Sequence, residues 1–123
     1  MATTPTQTLV TAVIVSAGFS GLLAIYKMRE LGIDVQGLEA DADIGGTWYW
    51  NQYPGARCDI ESTEYSYQFS EALQQSWEWS EQRATQLELL RYANHVANEF
   101  NLRAHITFNT RVISAQFDET THR

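Results

Sequence analysis

The sequence predicts an α/β fold in which a buried strand runs through a tight turn into a helix and then into a second strand. Residues 9–15 form a short apolar run rich in β-branched residues. Such a run is typical of a strand that is covered on both faces in a parallel sheet. Residues 16–21 are rich in glycine and serine, and apolar residues recur after them at helical spacing. These two observations together predict a strand, a turn and a helix in that order.

The spacing of apolar residues also predicts the helix and the second strand. Leu22, Ile25 and Met28 recur every three residues, which places them on one face of a helix. Gly32 stands where a helix C-cap is expected. Residues 34–39 are a second short run that ends on Glu39. Residues 9–39 therefore predict a βαβ unit, whose crossover is almost always right-handed.

The remaining chain divides into an aromatic segment, a helix and two strands. Residues 40–84 are dense in aromatic residues and lack clear periodicity, and a connection of that length is usually functional when it is ordered. Thr85 and Glu88 match a capping box, which predicts a helix over residues 85–101. Residues 105–117 are predicted to contain strands at 106–108 and, half-exposed, at 112–117. The predicted apolar face of the helix comprises Leu87, Leu90, Ala93, Val96, Ala97 and Phe100.

The composition predicts one globular domain and excludes several classes of function. The 123 residues are 44% hydrophobic with a formal net charge of −7, so the chain lacks the basic surface of a nucleic-acid or anionic-membrane binder. No apolar run approaches the ~20 residues that cross a bilayer, and the polar residues 1–8 do not resemble a signal peptide. The single cysteine, Cys58, excludes an internal disulfide and fits a reducing cytoplasm. His95, His105 and His122 lack the spacing of metal ligands.

Residues 16–21 stand where the dinucleotide fingerprint G-x-G-x-x-G is expected. Gly18 would let the backbone approach a pyrophosphate, and Gly21 would let the helix pack closely on the strand. The first amides of the helix and its dipole would then face the phosphates. Glu39 lies 18 residues after Gly21, where an acid accepts hydrogen bonds from ribose hydroxyls and disfavours a 2′-phosphate. The turn therefore favours FAD or NAD over NADP, and the alternative is an ordinary turn of an α/β domain.

Ser16 and Gly37 depart from the expected pattern. Ser16 replaces the first glycine of the fingerprint, and a serine with positive φ costs on the order of 1 kcal/mol. We expect the fold to tolerate this cost and the affinity for the cofactor to fall. Gly37 lies inside the second strand, where glycine weakens a strand. The two residues suggest relaxed selection or a fragment of a longer or decayed gene.

Two stretches of the chain resemble a known family. Residues 17–22 read Ala-Gly-Phe-Ser-Gly-Leu, and residues 45–62 read Gly-Gly-Thr-Trp-Tyr-Trp-Asn-Gln-Tyr-Pro-Gly-Ala-Arg-Cys-Asp-Ile-Glu-Ser. Both closely resemble the N-terminal region of flavin-dependent Baeyer–Villiger monooxygenases of the phenylacetone and cyclohexanone type. The resemblance continues through residues 64–67, 77–81, 90–92 and 108–110, so it covers nearly the whole chain after residue 8.

This resemblance implies a Rossmann-like FAD-binding domain of the two-dinucleotide-binding flavoprotein type, incomplete here because later chain finishes its sheet. Such enzymes reduce FAD with NADPH, trap oxygen as a C4a-peroxyflavin and insert one oxygen atom beside a ketone carbonyl to give an ester or lactone. The residues that would bind FAD are Ser16, Gly18, Phe19, Ser20, Gly21, Glu39, Gly46, Thr47, Trp48, Asp59, Tyr65 and Val112. Asp59 is also the candidate catalytic residue, since in the family it pairs with an arginine beside the flavin.

The resemblance places the NADPH motif, the active-site arginine and the substrate pocket beyond residue 123, so we expect this chain alone not to perform the full reaction. Other class B flavin monooxygenases, which oxidise nitrogen or sulfur, are an alternative. A shortened non-catalytic product that binds a nucleotide or another chain is a second alternative, and a NAD-dependent dehydrogenase is a weaker third. For single residues, the alternatives are aromatics that only form core, an exposed Arg57–Asp59 pair and a merely buried Cys58.

Overall fold

The computed structural model describes residues 7–123. Most of residues 1–8, which we expect not to be a signal peptide, therefore lie outside the described residues. The βαβ unit is present, with its strand, helix and second strand close to the predicted bounds. No helix in the described part of the chain is long and apolar enough to cross a bilayer. The elements are β1 (Ala12–Val15), α1 (Phe19–Glu30), β2 (Val35–Leu38), α2 (Thr47–Trp50), α3 (Glu71–Ser76), α4 (Gln86–Glu99), a 3-10 helix (Leu102–His105) and β3 (Ile106–Thr107).

The three strands form one parallel sheet in the order β1-β2-β3. Ala12 lies opposite Val35, and Gly37 lies opposite Ile106. Backbone pairing continues past the strand ends, because the Thr110 amide donates to the Glu39 carbonyl at 2.8 Å. The carboxyl ends of the strands therefore meet at one edge of the sheet, where α/β folds bind their ligands.

The main core lies between the sheet and the helices on one of its faces. Leu22 and Ile25 of α1 are fully buried and cluster with Val96 of α4, Leu102 of the 3-10 helix and Ile106 of β3. Helix α4 begins at the predicted Thr85 cap, whose side chain accepts a hydrogen bond from the Glu88 amide. The other half of the predicted capping box is not formed, because the Glu88 carboxylate accepts from the amide and hydroxyl of Ser80 instead. This packing holds the turn between β1 and α1 against the rest of the chain.

The prediction that β1 is buried on both faces is wrong. Ala12 and Ile14 pack against the core, but Val13 is 51% exposed and Val15 is 60% exposed. The reason is that residues 7–123 place their helices against one face of the sheet and leave the strand's alternate side chains uncovered. The uninterrupted apolar run of the sequence does not reveal which face is covered.

The strand predicted at 112–117 is also absent from the structure, in which residues 111–117 have no regular secondary structure and are exposed. A strand needs a neighbour for its backbone amides and carbonyls, and the described residues offer none there. The prediction that Leu87 belongs to the apolar face of α4 is wrong, because this residue is 52% exposed. Leu89 and Tyr92 are buried instead, because the helix turns that face toward the core.

Gly37 has a packing role that its sequence position does not reveal. A Cβ at Gly37 would lie 2.8 Å from Cδ1 of Ile25 and 3.1 Å from Cγ1 of Ile106. Glycine at this position therefore lets the Ile25 side chain of α1 and the Ile106 side chain of β3 pack closely against the central strand. Close packing is thus an explanation of Gly37 besides relaxed selection.

Candidate dinucleotide site

The turn between β1 and α1 has the close approach that the fingerprint predicts. A Cβ at Gly21 would lie 2.1 Å from the carbonyl oxygen of Ser16, so no other residue fits without moving the turn. The first helical bond of α1 joins the Leu22 amide to the Gly18 carbonyl at 2.9 Å. The amides of Phe19, Ser20 and Gly21 precede that bond and are left for partners outside the helix. They lie at the N-terminal end of α1, and this end of a helix attracts anions.

A second glycine loop touches the first one. Gly46 has a φ of 53°, and a Cβ there would lie 2.9 Å from the Cα of Gly18. The Gly45 amide donates to the Ala17 carbonyl at 3.0 Å, which fixes the two loops together. The facing backbones carry no side chain where they meet, and such a bare surface beside helix amides fits a pyrophosphate.

Glu39 is held rigidly at the carboxyl end of β2. Its side chain is buried, and its carboxylate accepts hydrogen bonds from the Ala17 amide at 2.5 Å and the Asp41 amide at 2.9 Å. Each carboxylate oxygen thus retains acceptor capacity for a ligand hydroxyl. Beside it is a pocket of about 130 Å³ lined by Val15, Ser16, Leu38, Glu39, Ala40, Thr110, Arg111 and Val112. The structure thereby brings together Val112 and Glu39, two of the predicted FAD-binding residues.

Three aromatic side chains pack together next to the turn between β1 and α1. The Tyr65 ring lies edge-on to Phe19, with centroids 5.1 Å apart, and edge-on to Trp48, with centroids 5.7 Å apart. The indole N–H of Trp48 donates to the Tyr65 hydroxyl at 2.8 Å. Gln86 of α4 donates to the Trp48 carbonyl at 2.5 Å. The three predicted aromatic residues therefore form one cluster that α4 holds in place.

A buried tyrosine connects the aromatic segment to the start of α1. The hydroxyl of Tyr67 donates to the Phe19 carbonyl, and the Tyr67 amide donates to the Tyr92 hydroxyl at 2.9 Å. Burial raises the pKa of Tyr67 far above its ordinary value, and the neighbouring Tyr92 and Tyr65 add to the increase. Burial also raises the pKa of Tyr92. Both hydroxyls therefore stay protonated and remain hydrogen-bonded at neutral pH.

Asp59, the candidate catalytic residue, is exposed, and the ion pairs formed by residues 7–123 do not involve it. The Arg57–Asp59 surface pair considered as an alternative is wrong, since Arg57 pairs with Glu81 at 2.9 Å. Cys58 is buried, and its thiol contacts the Ile60 carbonyl at 3.2 Å. The flavin-side role of Asp59 stays a prediction.

The other predicted residues lie at the edges of this site. Ser20 is exposed in the first turn of α1, and Thr47 is exposed at the start of α2. Within residues 7–123, no three His, Cys, Asp or Glu side chains are grouped so as to hold a metal ion. The site is thus built from backbone, one carboxylate and aromatic rings.

Sequence reasoning missed the polar network that supports the second glycine loop. The Arg103 guanidinium donates to the side-chain oxygens of both Asp43 and Asn94. The same Asp43 oxygen accepts from the Ile44 amide at 2.7 Å, directly before Gly45. Arg103 therefore ties this loop to α4 and the 3-10 helix. Asp43 and Arg103 are 60 residues apart, and no motif in the sequence links them.

Comparison with known proteins identifies the family. The model of the NAD(P)-binding Rossmann-like domain matches residues 14–77, which is more than half of the chain. The chain belongs to this family. The α/β, Rossmann-like fold class predicted from the sequence is confirmed. In this Rossmann-like domain, the matched residues contain both glycine loops and Glu39.

Individual relatives and solved structures show which kind of Rossmann-like domain this is. The acetone monooxygenase (methyl acetate-forming) of Gordonia sp. strain TY-5 is 41% identical over 112 residues, 91% of this chain and 21% of that protein. The FAD-binding monooxygenase lolF2 of Epichloe uncinata is 46% identical over 119 residues, 96% of this chain and 22% of that protein. The structure of an oxidized steroid monooxygenase bound to NADP is 54% identical, with a TM-score of 0.89 over 90% of this chain and 21% of that chain.

These matches confirm the resemblance to Baeyer–Villiger monooxygenases, which are among the relatives and structural neighbours together with cyclohexanone and steroid monooxygenases. This chain corresponds to their N-terminal part. It spans about a fifth of the length of the relatives that it matches.

Proposed function

We propose that this chain is the N-terminal, FAD-binding part of an NADPH- and oxygen-dependent flavin monooxygenase that converts ketones into esters or lactones. The observation that carries the proposal is the contact between Gly18 and Gly46 at the start of α1, beside the buried carboxylate of Glu39. Bare backbone for a pyrophosphate and an acid for a ribose are the two features that a dinucleotide requires. The names of relatives that bind FAD or form methyl acetate support the same conclusion.

In this proposal each group at the turn has a defined role. The amides of Gly18, Phe19, Ser20 and Gly21 bind the pyrophosphate oxygens, and the helix dipole adds to the attraction. The Glu39 carboxylate accepts hydrogen bonds from the ribose hydroxyls, while the Ala17 amide keeps it in place. Val112 borders the pocket on the adenosine side.

The aromatic cluster of Phe19, Trp48 and Tyr65 lies on the flavin side. When bound, the flavin supplies the redox and oxygen chemistry. The rings of the cluster exclude water, which protects reactive flavin states from solvent. Asp59 would orient an arginine that comes from outside residues 1–123 through a charge-assisted hydrogen bond.

The remaining components belong to the complete enzyme. NADPH, molecular oxygen and the ketone would bind to parts of the protein outside this chain, so the isolated chain is inactive in the full reaction. A ketone-to-ester assay of the complete enzyme separates this function from oxidation of nitrogen or sulfur. The net charge of −7 argues against nucleic acid as a partner.

We infer a cytoplasmic location for the protein. The only cysteine, Cys58, is a buried free thiol, as expected of a protein that matures in a reducing compartment. Cell fractionation with an antibody against this chain tests the inference. Recovery in an oxidising compartment would contradict it.

An FAD titration followed by quenching of flavin fluorescence tests the proposed function. We expect saturable quenching by the purified chain and a loss of affinity of at least about tenfold in Glu39→Ala, because the charged hydrogen bonds to the ribose disappear. Glu99→Ala removes an exposed carboxylate at the end of α4 and serves as the matched control. Equal affinities of wild type and Glu39→Ala would contradict the proposed site.

A further inference from the structure

Ser16 is the one residue of the fingerprint turn that carries a side chain where the pattern has glycine. Its φ is 95°, a conformation that L residues with a Cβ rarely adopt. The backbone is fixed on both sides, since the Ser16 amide donates to the Leu38 carbonyl at 2.8 Å and the Ala17 amide donates to Glu39. The surrounding hydrogen bonds therefore impose the left-handed conformation on serine.

The Ser16 side chain points toward the backbone of the same turn. Its hydroxyl oxygen accepts a hydrogen bond from the Gly18 amide at 3.2 Å. That oxygen also lies 3.6 Å from the position that a Cβ on Gly18 would occupy. The second glycine of the fingerprint exists to leave that space open to a pyrophosphate. The hydroxyl thus already accepts from the Gly18 amide and borders the space that a dinucleotide would use.

We propose that the Ser16 hydroxyl competes with the cofactor pyrophosphate for the Gly18 amide, so that Ser16 sets the affinity of this site for dinucleotides. This inference rests on the proposed function. When a dinucleotide binds, the hydroxyl leaves the Gly18 amide by rotation about the Cα–Cβ bond, because hydrogen bonds hold the backbone on both sides of Ser16. The displacement lowers the free energy gained when any dinucleotide binds. A chain with glycine at this position does not have this cost.

Two substitutions separate the hydroxyl from the backbone strain. Ser16→Ala removes the hydroxyl and keeps a Cβ on a residue with positive φ. Ser16→Gly removes the hydroxyl and the strain together. Loss of one neutral hydrogen bond corresponds to a change of about three- to tenfold in Kd, so we expect Ser16→Ala to bind FAD that much more tightly than wild type. Ser16→Gly should bind at least as tightly as Ser16→Ala and unfold at a higher urea concentration.

The ligand distinguishes competition at the phosphate position from a general change in the fold. Adenosine carries the ribose and adenine but no phosphate, so its affinity, measured by NMR titration, should be the same in wild type and Ser16→Ala. Ser76→Ala, on α3 and outside the pocket beside Glu39, is the matched serine-to-alanine control and should leave the affinity for FAD unchanged. Far-UV circular dichroism establishes that every variant is folded.

The possible results distinguish failure of the competition at Ser16 from failure of the proposed function. Weaker or unchanged FAD binding by Ser16→Ala, beside measurable binding by wild type, would overturn the competition and show that the hydroxyl is neutral or donates to the phosphate. An equal gain in affinity for FAD and for adenosine would overturn it as well. Absence of FAD binding by the wild type and by both folded variants would overturn the proposed function, and the competition with it.

Discussion

Gly21 shows how one backbone position fixes the site at the residue scale. Because a Cβ there would lie 2.1 Å from the Ser16 carbonyl oxygen, Gly21→Ala must displace the turn. We expect a loss of about 2 kcal/mol or more in the free energy of unfolding, measured by urea denaturation. Gly32→Ala is the control, since Gly32 has a φ of 73° and nothing lies within 4 Å of its added Cβ. It should cost only about 1 kcal/mol, and equal losses would contradict the clash.

Tyr67 gives a second prediction at this scale, and its sign follows from the raised pKa. The folded chain keeps this hydroxyl protonated above pH 10, where the unfolded chain releases the proton. The folded state then binds more protons, so stability falls as the pH rises through that range, by up to about 1.4 kcal/mol per pH unit for each such group. Tyr67→Phe should show a shallower decline between pH 10 and 11 in urea titrations. An unchanged slope would contradict the assignment.

At the scale of elements, the site depends on how α4 and the 3-10 helix hold the second glycine loop. Arg103 bonds to Asp43 in that loop and to Asn94 in α4. The ion pair is partly exposed, so Arg103→Ala should cost only about 1 kcal/mol of stability. It should also weaken FAD binding severalfold, because the loop that carries Gly46 is less firmly positioned.

The matched control at this scale is Arg57→Ala. Arg57 forms a similarly exposed pair with Glu81, and it does not bond to the second glycine loop. Fluorescence titrations with FAD should therefore give the wild-type Kd for Arg57→Ala and a raised Kd for Arg103→Ala. Equal effects would show that any surface arginine matters and that the link to the loop does not.

At the scale of the whole molecule, the sequence reveals features that depend on local patterns, and it does not reveal features that depend on long-range contacts. The βαβ unit, the glycine turn and Glu39 are local patterns, and their spacing was sufficient to predict them. The exposed side of β1, the irregular chain at 112–117 and the close packing at Gly37 depend on what lies opposite in space. The Arg103 network joins residues that are far apart in the chain. For these features a single sequence offers no period or motif.

Ligand binding should stabilise the whole chain by mass action if the proposed site is formed. At a free FAD concentration of 100 Kd the gain is about 2.7 kcal/mol, which a urea titration with and without FAD measures. Riboflavin lacks the pyrophosphate and the adenosine, so it should give a much smaller gain. Equal stabilisation by both ligands would place binding away from the glycine loops.

Mapping the amide shifts that FAD induces in an NMR spectrum of the labelled chain tests the central claim most directly. The amides of Gly18, Phe19, Ser20 and Gly21 should move together with that of Gly46, because the pyrophosphate would contact both loops. The Asp41 and Ala17 amides bonded to Glu39 should move as well. Saturable shifts confined to other parts of the chain, or no shifts at all from the folded chain, would contradict a dinucleotide site at this turn.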